Sequence, residues 1–357
     1  MSRYFSQRLA GLVPYTPGEQ PRDMQYIKLN TNESPFPPSP AVIRAAAAEA
    51  GRLQLYSDPT CRELTDKLAE VMGVPADHII LTNGSDEVLN FAFMAFADEA
   101  HPLVFPEITY GFYPVFAALN RIPYEEIPLR EGFAVDYRDY LSLGGKTVVI
   151  ANPNAPTGLC LPLWQIEEIL RSNPDSVVII DEAYVDFGAE SAVSLLGKYE
   201  NLLVTQTFSK SRSLAGARLG FGIGRPALIS DLHTVRYSTN PYNVNRMTAA
   251  AGYAALCDND YYMANCRVIA ANRAYTSDAL HALGFEVLPS LTNFVFARTD
   301  RIGGEELYLE LKRRGILVRH FSKEGIADYN RITIGTKEQM KALIRTVASI
   351  LEDRVNV

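Results

Sequence analysis

Short, uninterrupted apolar runs alternate with amphipathic stretches between about residues 78 and 224, and this alternation is the strongest constraint on the fold. Runs of valine, isoleucine and leucine without a polar interruption are typical of strands that are buried on both faces. The stretches between them suit helices that connect parallel strands. We therefore predict an α/β fold with a mostly parallel, doubly wound sheet. The runs are 78–81, 103–105, 147–151, 176–180, 202–205 and 219–223.

The segments on either side of this alternation have different patterns. Residues 14–40 are rich in proline and asparagine and are too irregular for a helix. Ser39 as the N-cap and Pro40 as the first helical residue predict that a helix begins at their boundary.

The pattern changes again after about residue 257 to that of a smaller α+β domain. We expect an N-terminal arm (1–30), a large domain (31–257) and a small C-terminal domain (258–357). The small domain is expected to contain a long helix, strands at 293–297 and 332–334, and helices near 304–314 and 337–351.

Composition excludes several classes of protein. Hydrophobic residues make up 47% of the 357 residues and charged residues 21%, as in ordinary globular proteins. The net charge of −7 comes without a basic block, so we expect no nucleic-acid partner. No segment approaches the roughly 20 apolar residues of a membrane span, and residues 1–14 lack the apolar stretch of a signal peptide. These observations predict a cytoplasmic protein with no membrane association.

Neither cysteine nor histidine spacing indicates a metal site. The cysteines show no CxxC pattern, and the five histidines show no HxxxH or HExxH pattern. We therefore predict buried thiols rather than disulfides, and no catalytic metal. The cysteines are Cys61, Cys160, Cys257 and Cys266.

Polar segments follow five of the apolar runs. In doubly wound sheets, ligands bind beyond the carboxyl ends of the strands, so we expect these segments to converge on one edge. Each has a simpler explanation of its own: a turn and helix cap, a surface lysine, a loop aspartate or a core tyrosine. The segments are 83–87, 106–110, 152–158, 181–184 and 207–211.

Together, these segments supply what the chemistry of pyridoxal phosphate requires, namely an anion site at a helix N-terminus, an aromatic face, a carboxylate and an amine. Asp181 ends a buried run and can pair with the cofactor's pyridine nitrogen, which must stay protonated to stabilise a carbanion. Lys210 must be neutral to attack, and burial together with cations such as Arg218 lowers its pKa. The expected phosphate donors are the backbone amides of Ser85 and Asp86, with Ser209 and Arg218.

Three motifs, in this order, resemble the class I and II aminotransferases. They are Asn-Pro-x-x-Pro-Thr-Gly at 152–158, Asp-Glu-Ala-Tyr at 181–184 and Ser-Lys-x-x-x-Leu-Ala-Gly-x-Arg at 209–218. The resemblance covers nearly the whole chain. It implies the fold of the pyridoxal-phosphate-dependent transferases of the aspartate aminotransferase type, with Lys210 carrying the cofactor as a Schiff base.

Four further segments resemble the histidinol-phosphate aminotransferase family within that superfamily. They are residues 29–35, 56–59, 318–321 and 331–336. This resemblance implies an enzyme of histidine biosynthesis, which interconverts histidinol phosphate and 2-oxoglutarate with imidazole acetol phosphate and glutamate.

The resemblance also implies roles for individual side chains. Tyr110 would stack on the pyridine ring, and Tyr184 would donate a hydrogen bond to the ring's phenolic oxygen. Tyr56 would reach the cofactor phosphate of a neighbouring subunit, which implies a homodimer with active sites at the interface. Arg331 would bind the anionic group of the substrate, and Tyr15 would line the substrate pocket.

One position departs from the family pattern. Many members have asparagine directly before Pro-Thr-Gly, where it hydrogen-bonds the phenolic oxygen, but this chain has Ala155 there. Either Asn154 takes over that contact from one residue upstream, or Tyr184 makes it with less help.

Other functions remain as alternatives. The glycines of 220–224 suggest a dinucleotide turn and an NAD-dependent dehydrogenase, but Arg225 replaces the sixth-position glycine and these glycines lie inside an apolar run. A non-catalytic protein that binds pyridoxal phosphate would have no need of Arg331. A phosphothreonine-type decarboxylase and an aromatic aminotransferase share the fold and stay open. The motifs do not indicate which residues contact the imidazole.

Overall fold

The computed structural model describes residues 2–355, and a seven-stranded sheet is the main feature of that part of the chain. Within these residues the strands are β1 (Ile27–Lys28), β2 (Ile79–Thr82), β3 (Leu103–Pro106), β4 (Tyr124–Ile127), β5 (Thr147–Ala151), β6 (Val178–Asp181), β7 (Leu202–Thr207), β8 (Gly220–Gly224), β9 (Glu286–Val287), β10 (Phe294–Arg298), β11 (Ile316–Leu317), β12 (Arg319–His320) and β13 (Asn330–Thr333). The α-helices are α1 (Pro40–Ala50), α2 (Arg62–Met72), α3 (Ser85–Phe96), α4 (Phe112–Asn120), α5 (Leu163–Ser172), α6 (Pro226–Thr239), α7 (Arg246–Cys257), α8 (Asn259–Ala282), α9 (Gly304–Arg313) and α10 (Lys337–Val355).

The strand order of the large sheet is β2-β8-β7-β6-β5-β3-β4. Strand β8 runs antiparallel to both of its neighbours, and the other pairs are parallel. All six predicted runs form strands of this sheet; the run 147–151 matches β5, and the bounds of the others differ by at most two residues. Strand β2 begins at Ile79 rather than at residue 78 because His78 belongs to a short 3-10 helix.

Strand β4 was not predicted from the sequence. It lies at the edge of the sheet, and three of its four residues are exposed, including Glu125 and Glu126. An edge strand of this kind has no continuous apolar run, so the criterion that identified the buried strands does not detect it.

The large sheet is covered on both faces. Alternate residues of one strand enter opposite cores: Val148 and Ile150 pack in one apolar cluster, whereas Val149 packs in the other. This alternation follows from the period of two along a strand. Two buried faces explain why these strands are apolar without interruption.

A second, four-stranded antiparallel sheet, with the order β12-β13-β10-β9, lies in the C-terminal part of the described chain. Its core includes residues of helices α8 and α10 and also Leu29, which follows β1. Strand β1 pairs with β11, so the N-terminal segment is attached to the C-terminal part of the chain. The predicted strand at 332–334 begins earlier, at Asn330, and Arg331 therefore lies inside β13 rather than before it.

Two local predictions have clear outcomes. The N-terminus of α1 is confirmed, since the Ser39 hydroxyl accepts a hydrogen bond from the amide of Val42 and Pro40 is the first helical residue. All four cysteines are free thiols, but the prediction that they are buried is wrong for Cys257, which ends α7 at the surface, and Cys160 is only partly buried.

No helix among residues 2–355 is both long enough and apolar enough to cross a membrane.

Candidate active site

Two adjacent cavities open where the polar segments that follow the strands of the large sheet converge. We call the cavity of about 400 Å³ beside Asp181 and Arg218 the inner cavity. The cavity of about 440 Å³ beside Tyr15 and Arg331 is the outer cavity. Volumes of this size suit small ligands. Both cavities are lined by Thr31, Tyr110, Ala155, Tyr184 and Lys210.

Lys210 lies where the two cavities meet. It follows β7, and its Nζ donates a hydrogen bond to the carbonyl oxygen of Thr31 at 3.1 Å. Burial, the largest cause, and the nearby charge of Arg331 together lower the pKa of this amine to about 8. Arg218 also contributes, as expected from the sequence, but less than Arg331. An appreciable fraction of Lys210 is therefore neutral near pH 8 and available as a nucleophile.

Asp181 is the last residue of β6, is buried, and lines the inner cavity. Its carboxylate accepts hydrogen bonds from the hydroxyls of Tyr113 at 2.8 Å and Thr205 at 3.1 Å. Burial raises its pKa to about 6, although these two hydrogen bonds act in the opposite direction. No cation among residues 2–355 forms an ion pair with it. A cationic group in the inner cavity would therefore find an unpaired carboxylate.

The opposite end of the inner cavity is suited to an anion. Helix α3 begins there at Ser85, and its first amides have no partner within the helix. Gly84 has a φ of +83°, and a Cβ atom on it would lie 2.5 Å from the Arg218 guanidinium. A Cβ atom on Gly220 would lie 2.2 Å from the amide nitrogen of Ser85. Glycine is therefore required at both positions for the helix terminus and Arg218 to approach each other.

Asp86 contributes more than the backbone amide expected from the sequence. Its carboxylate accepts hydrogen bonds from the Tyr110 hydroxyl at 2.8 Å and from Arg218 at 3.1 Å. Ser209 lies nearby, and its hydroxyl accepts a hydrogen bond from Thr207 at 2.9 Å. Asp86 therefore orients both the aromatic ring and the cation at this end of the cavity.

The Asn154 side chain is hydrogen-bonded within its own loop and to the segment after β3, and its expected contact with the cofactor stays a prediction. Its amide nitrogen donates to the carbonyl of Ile108 and to Thr157, and its amide oxygen accepts from Thr109. These three bonds hold the side chain away from the inner cavity, which Ala155 lines instead.

Tyr56 does not contribute to the cavities of its own chain. Its side chain is 79% exposed and stacks on Tyr242 with the ring centroids 4.5 Å apart. The expected contact with a neighbouring subunit stays a prediction.

Arg331 provides an unpaired cation in the outer cavity. Its terminal nitrogen donates to the carbonyl of Asn30 at 3.2 Å, but its Nε is buried without a partner. Within residues 2–355 no carboxylate forms an ion pair with it, and its Cζ lies 5.3 Å from the ring centroid of Phe294 and 5.6 Å from that of Phe321. Burial lowers the pKa of this guanidinium. A desolvated charge without a counterion is costly, so the arrangement favours an anionic ligand.

Arg319 was not recognised as a site residue from the sequence. It lies directly opposite Arg331 in the antiparallel pair of β12 and β13, lines the outer cavity and donates to the carbonyls of Thr16 and Pro17. Like charges directly opposite each other destabilise a sheet. Their juxtaposition strengthens the argument for an anion site. Recognising Arg319 in advance would have required the strand register.

Tyr15 lies at the wall of the outer cavity, as expected. Its ring stacks on Phe112 with the centroids 4.2 Å apart and lies at 6.4 Å from the ring of Tyr110. The outer cavity thus combines an aromatic wall with an anion site, whereas the inner cavity combines an anion site with an unpaired carboxylate and an amine.

The chain is similar to known proteins over almost its whole length. The family model described as "Aminotransferase class I and II" matches residues 24–347. A histidinol-phosphate aminotransferase of a Marinomonas species is 50% identical, over 98% of this chain and 100% of the relative. The crystal structure of histidinol-phosphate aminotransferase from Sinorhizobium meliloti in complex with pyridoxal 5′-phosphate has a TM-score of 0.85 at 25% identity and covers 92% of each chain. A mutant of Thermus thermophilus aspartate aminotransferase has a TM-score of 0.82 at 20% identity, over 98% of this chain and 100% of that one.

Proposed function

This chain belongs to the class I and II aminotransferase family, and on that premise we propose that it is a histidinol-phosphate aminotransferase with pyridoxal phosphate as its cofactor. The reaction interconverts histidinol phosphate and 2-oxoglutarate with imidazole acetol phosphate and glutamate. The single observation that carries the substrate assignment is Arg331, whose buried Nε has no partner and which faces a second arginine across the sheet.

The anion site suits both substrates of such a reaction. Histidinol phosphate has a phosphate on a methylene group and no α-carboxylate, whereas glutamate presents an α-carboxylate. A planar guanidinium can bind either anion with two hydrogen bonds, which the point charge of a lysine does less well. Arg331 would therefore serve both half-reactions, and Arg319 would add charge for the phosphate.

The inner cavity fits pyridoxal phosphate. Asp181 would hold the proton on the ring nitrogen, and Tyr110 would cover one face of the ring. The phosphate would be held by the start of α3 together with Ser209 and Arg218. These residues match the cofactor's anionic end and its cationic ring nitrogen.

The cofactor supplies an electron sink for the negative charge that forms when a proton leaves the substrate's α-carbon. Lys210 Nζ would take that proton and return it to C4′ of the cofactor. Burial of Asp181 in an apolar strand strengthens its interaction with a cation, because the local dielectric constant is low.

We also propose that the protein is a cytoplasmic homodimer with active sites at the subunit interface. Within each chain we propose an N-terminal arm (1–30), a large domain (31–257) and a small domain (258–357). The support for the dimer is the pair of exposed aromatic rings, Tyr56 and Tyr242, which stack on each other outside both cavities. In the dimer, Tyr56 would contact the cofactor phosphate of the partner.

A comparison of amino donors tests the proposed substrate. The purified holoenzyme is assayed with 2-oxoglutarate and either histidinol phosphate, phenylalanine or aspartate, and glutamate is measured. We expect the highest kcat/KM for histidinol phosphate. A higher value for phenylalanine would favour an aromatic aminotransferase. Release of carbon dioxide from phosphothreonine, without glutamate formation, would favour a decarboxylase.

Replacing Asp181 with asparagine should lower turnover by roughly 10²- to 10³-fold, the usual loss when one preorganised electrostatic contact is removed. The change keeps the shape of the side chain but removes the charge that keeps the ring nitrogen protonated. The cofactor should still bind through its phosphate and Lys210.

Turnover is measured with the protein saturated with cofactor, which is checked by absorbance. Glu182→Gln is the matched control, because Glu182 is also a buried carboxylate, but it bonds to Ser191 and Gln206 and does not line the inner cavity. Near-normal turnover of Asp181→Asn would contradict the assignment, as would an equal loss in both variants.

The rate at which cofactor-free protein binds added pyridoxal phosphate covalently should rise with pH. Because the pKa of Lys210 is lowered to about 8, its neutral fraction increases about tenfold per pH unit below that value and levels off above it. Stopped-flow absorbance measures the rate. Removing the Arg331 charge by Arg331→Ala should move the midpoint upward. A midpoint near that of an ordinary lysine in the unaltered protein would disagree with this account.

A further inference from the structure

The site contains a tyrosine whose hydroxyl is held by an unexpected partner. Ala155 occupies the position where many relatives have an asparagine that contacts the cofactor's phenolic oxygen, and Asn154 is bonded elsewhere. That leaves Tyr184 as the hydrogen-bond donor expected at this oxygen. Tyr184 lines both cavities, and its ring packs edge-on against Phe294 with the centroids 5.1 Å apart.

Asn32 contacts the hydroxyl of Tyr184. Its amide nitrogen, Nδ2, donates a hydrogen bond to Tyr184 Oη at 2.9 Å, and the residue is only 1% exposed. The preceding residue, Thr31, supplies the carbonyl that accepts from Lys210. The same short segment therefore contacts two groups of the candidate active site.

The hydrogen bonds around Asn32 determine which way its amide points. The backbone N–H of Asn32 donates to Thr333 Oγ1 at 3.0 Å, so this hydroxyl is free to donate its own proton to Asn32 Oδ1, also at 3.0 Å. The amide oxygen is thereby assigned to Thr333, and the NH₂ group must face Tyr184. Asn293 fixes the backbone by donating to the carbonyl of Asn32 at 2.8 Å.

A phenol has one proton to donate, and this arrangement leaves it free for the cavity. Because Tyr184 Oη accepts from Asn32, its proton does not point toward Asn32. No acceptor for it is found among residues 2–355. We propose that Asn32 is a positioning residue that directs the proton of Tyr184 toward the phenolic oxygen of the cofactor, and so compensates in part for Ala155.

This inference rests on the proposed cofactor site and makes a spectroscopic prediction. The visible absorbance of the bound cofactor changes when it takes up a proton. A hydrogen bond donated to its phenolic oxygen stabilises the anionic form and lowers the pH of that change. Loss of a hydrogen bond to a charged group shifts the pKa of that group, and hence the pH midpoint of the absorbance change, by roughly one to two pH units. Tyr184→Phe should raise the midpoint by about that amount, and loss of the positioning contact should raise it by roughly half as much.

The variant that tests the contact is Asn32→Gly. Asn32 has a φ of +56°, in the left-handed region, which glycine adopts without a steric penalty, so the amide is removed with little backbone strain. The control is Asn272→Ala, which also removes a buried asparagine amide, but one that donates to the carbonyl of Gly335 and lines neither cavity. The pH midpoint of the absorbance and the Tm of each holoenzyme are measured, together with those of Tyr184→Phe and of the double variant Asn32→Gly/Tyr184→Phe.

If Asn32 acts through Tyr184, Asn32→Gly raises the midpoint in the unaltered protein but adds nothing in the Tyr184→Phe background. Asn272→Ala should lower the Tm and leave the midpoint in place. If the midpoint is unchanged in Asn32→Gly but raised in Tyr184→Phe, the inference about Asn32 is wrong, whereas the proposed role of Tyr184 stands. An unchanged midpoint in Tyr184→Phe would overturn both the inference and the proposed role of Tyr184. If Asn32→Gly shifts the midpoint as much in the Tyr184→Phe background as it does in the unaltered protein, Asn32 acts independently of Tyr184. That result would also overturn the inference.

Discussion

Replacing Lys210 with alanine is expected to lower turnover by at least ~10²- to 10⁴-fold, the usual contribution of proton transfer by a positioned group. The same change should abolish the covalent attachment of the cofactor. Both effects follow from the position of Lys210 where the two cavities meet, with an amine whose pKa is lowered to about 8.

Borohydride reduction of the holoenzyme, followed by peptide mapping, identifies the lysine that carries the cofactor. The label should lie on Lys210 and be absent from Lys210→Ala. Lys323→Ala is the matched control, because Lys323 also lines the outer cavity but bonds to the carbonyl of Glu107. Label on Lys323 or on any other lysine would contradict the assignment.

Replacing Arg331 with alanine should lower kcat/KM roughly 30-fold to several thousand-fold in each half-reaction. This range corresponds to the ~2 to 5 kcal/mol lost when one partner of a buried charged pair is removed. The loss should affect both half-reactions, since the same guanidinium would bind the phosphate of histidinol phosphate and the carboxylate of glutamate.

Two further variants refine this prediction. Arg331→Lys keeps the charge but not the planar pair of donors, so its kcat/KM should lie between those of the unaltered enzyme and Arg331→Ala. Arg298→Ala removes a partly exposed arginine of the same sheet, which pairs with Glu286, and should leave both half-reactions unchanged. Normal reaction of Arg331→Ala with histidinol phosphate would refute the shared anion site.

Much of the fold could be predicted because the buried strands carry their own signal. Strands such as β5 and β6 are buried along their whole length, and their apolar runs could be read directly. The similarity to aspartate aminotransferase confirms the predicted fold class. The edge strand β4 could not be found in this way, because Glu125 and Glu126 face solvent.

The candidate site was predictable where a residue lies at the end of a strand or shortly after it. Asp181 ends β6, and Ser209 and Lys210 come shortly after β7, so all three were expected where the ends of neighbouring strands meet at one edge of the sheet. Contacts between distant segments were not predictable. The bond from Asn32 to Tyr184 joins residues 152 positions apart, and the pairing of Arg319 with Arg331 depends on strand register. The orientation of Asn154 depends on hydrogen bonds within its loop and with the segment that follows β3.

Single-turnover spectroscopy of the unaltered holoenzyme tests the central claim most directly. The enzyme is mixed with histidinol phosphate alone, and the absorbance of the bound cofactor is followed; 2-oxoglutarate is then added. The account predicts that histidinol phosphate converts the cofactor to its amino form in one turnover and that 2-oxoglutarate restores the starting spectrum with release of glutamate. A holoenzyme that is inert toward histidinol phosphate, yet reacts with phenylalanine or releases carbon dioxide from phosphothreonine, would contradict it.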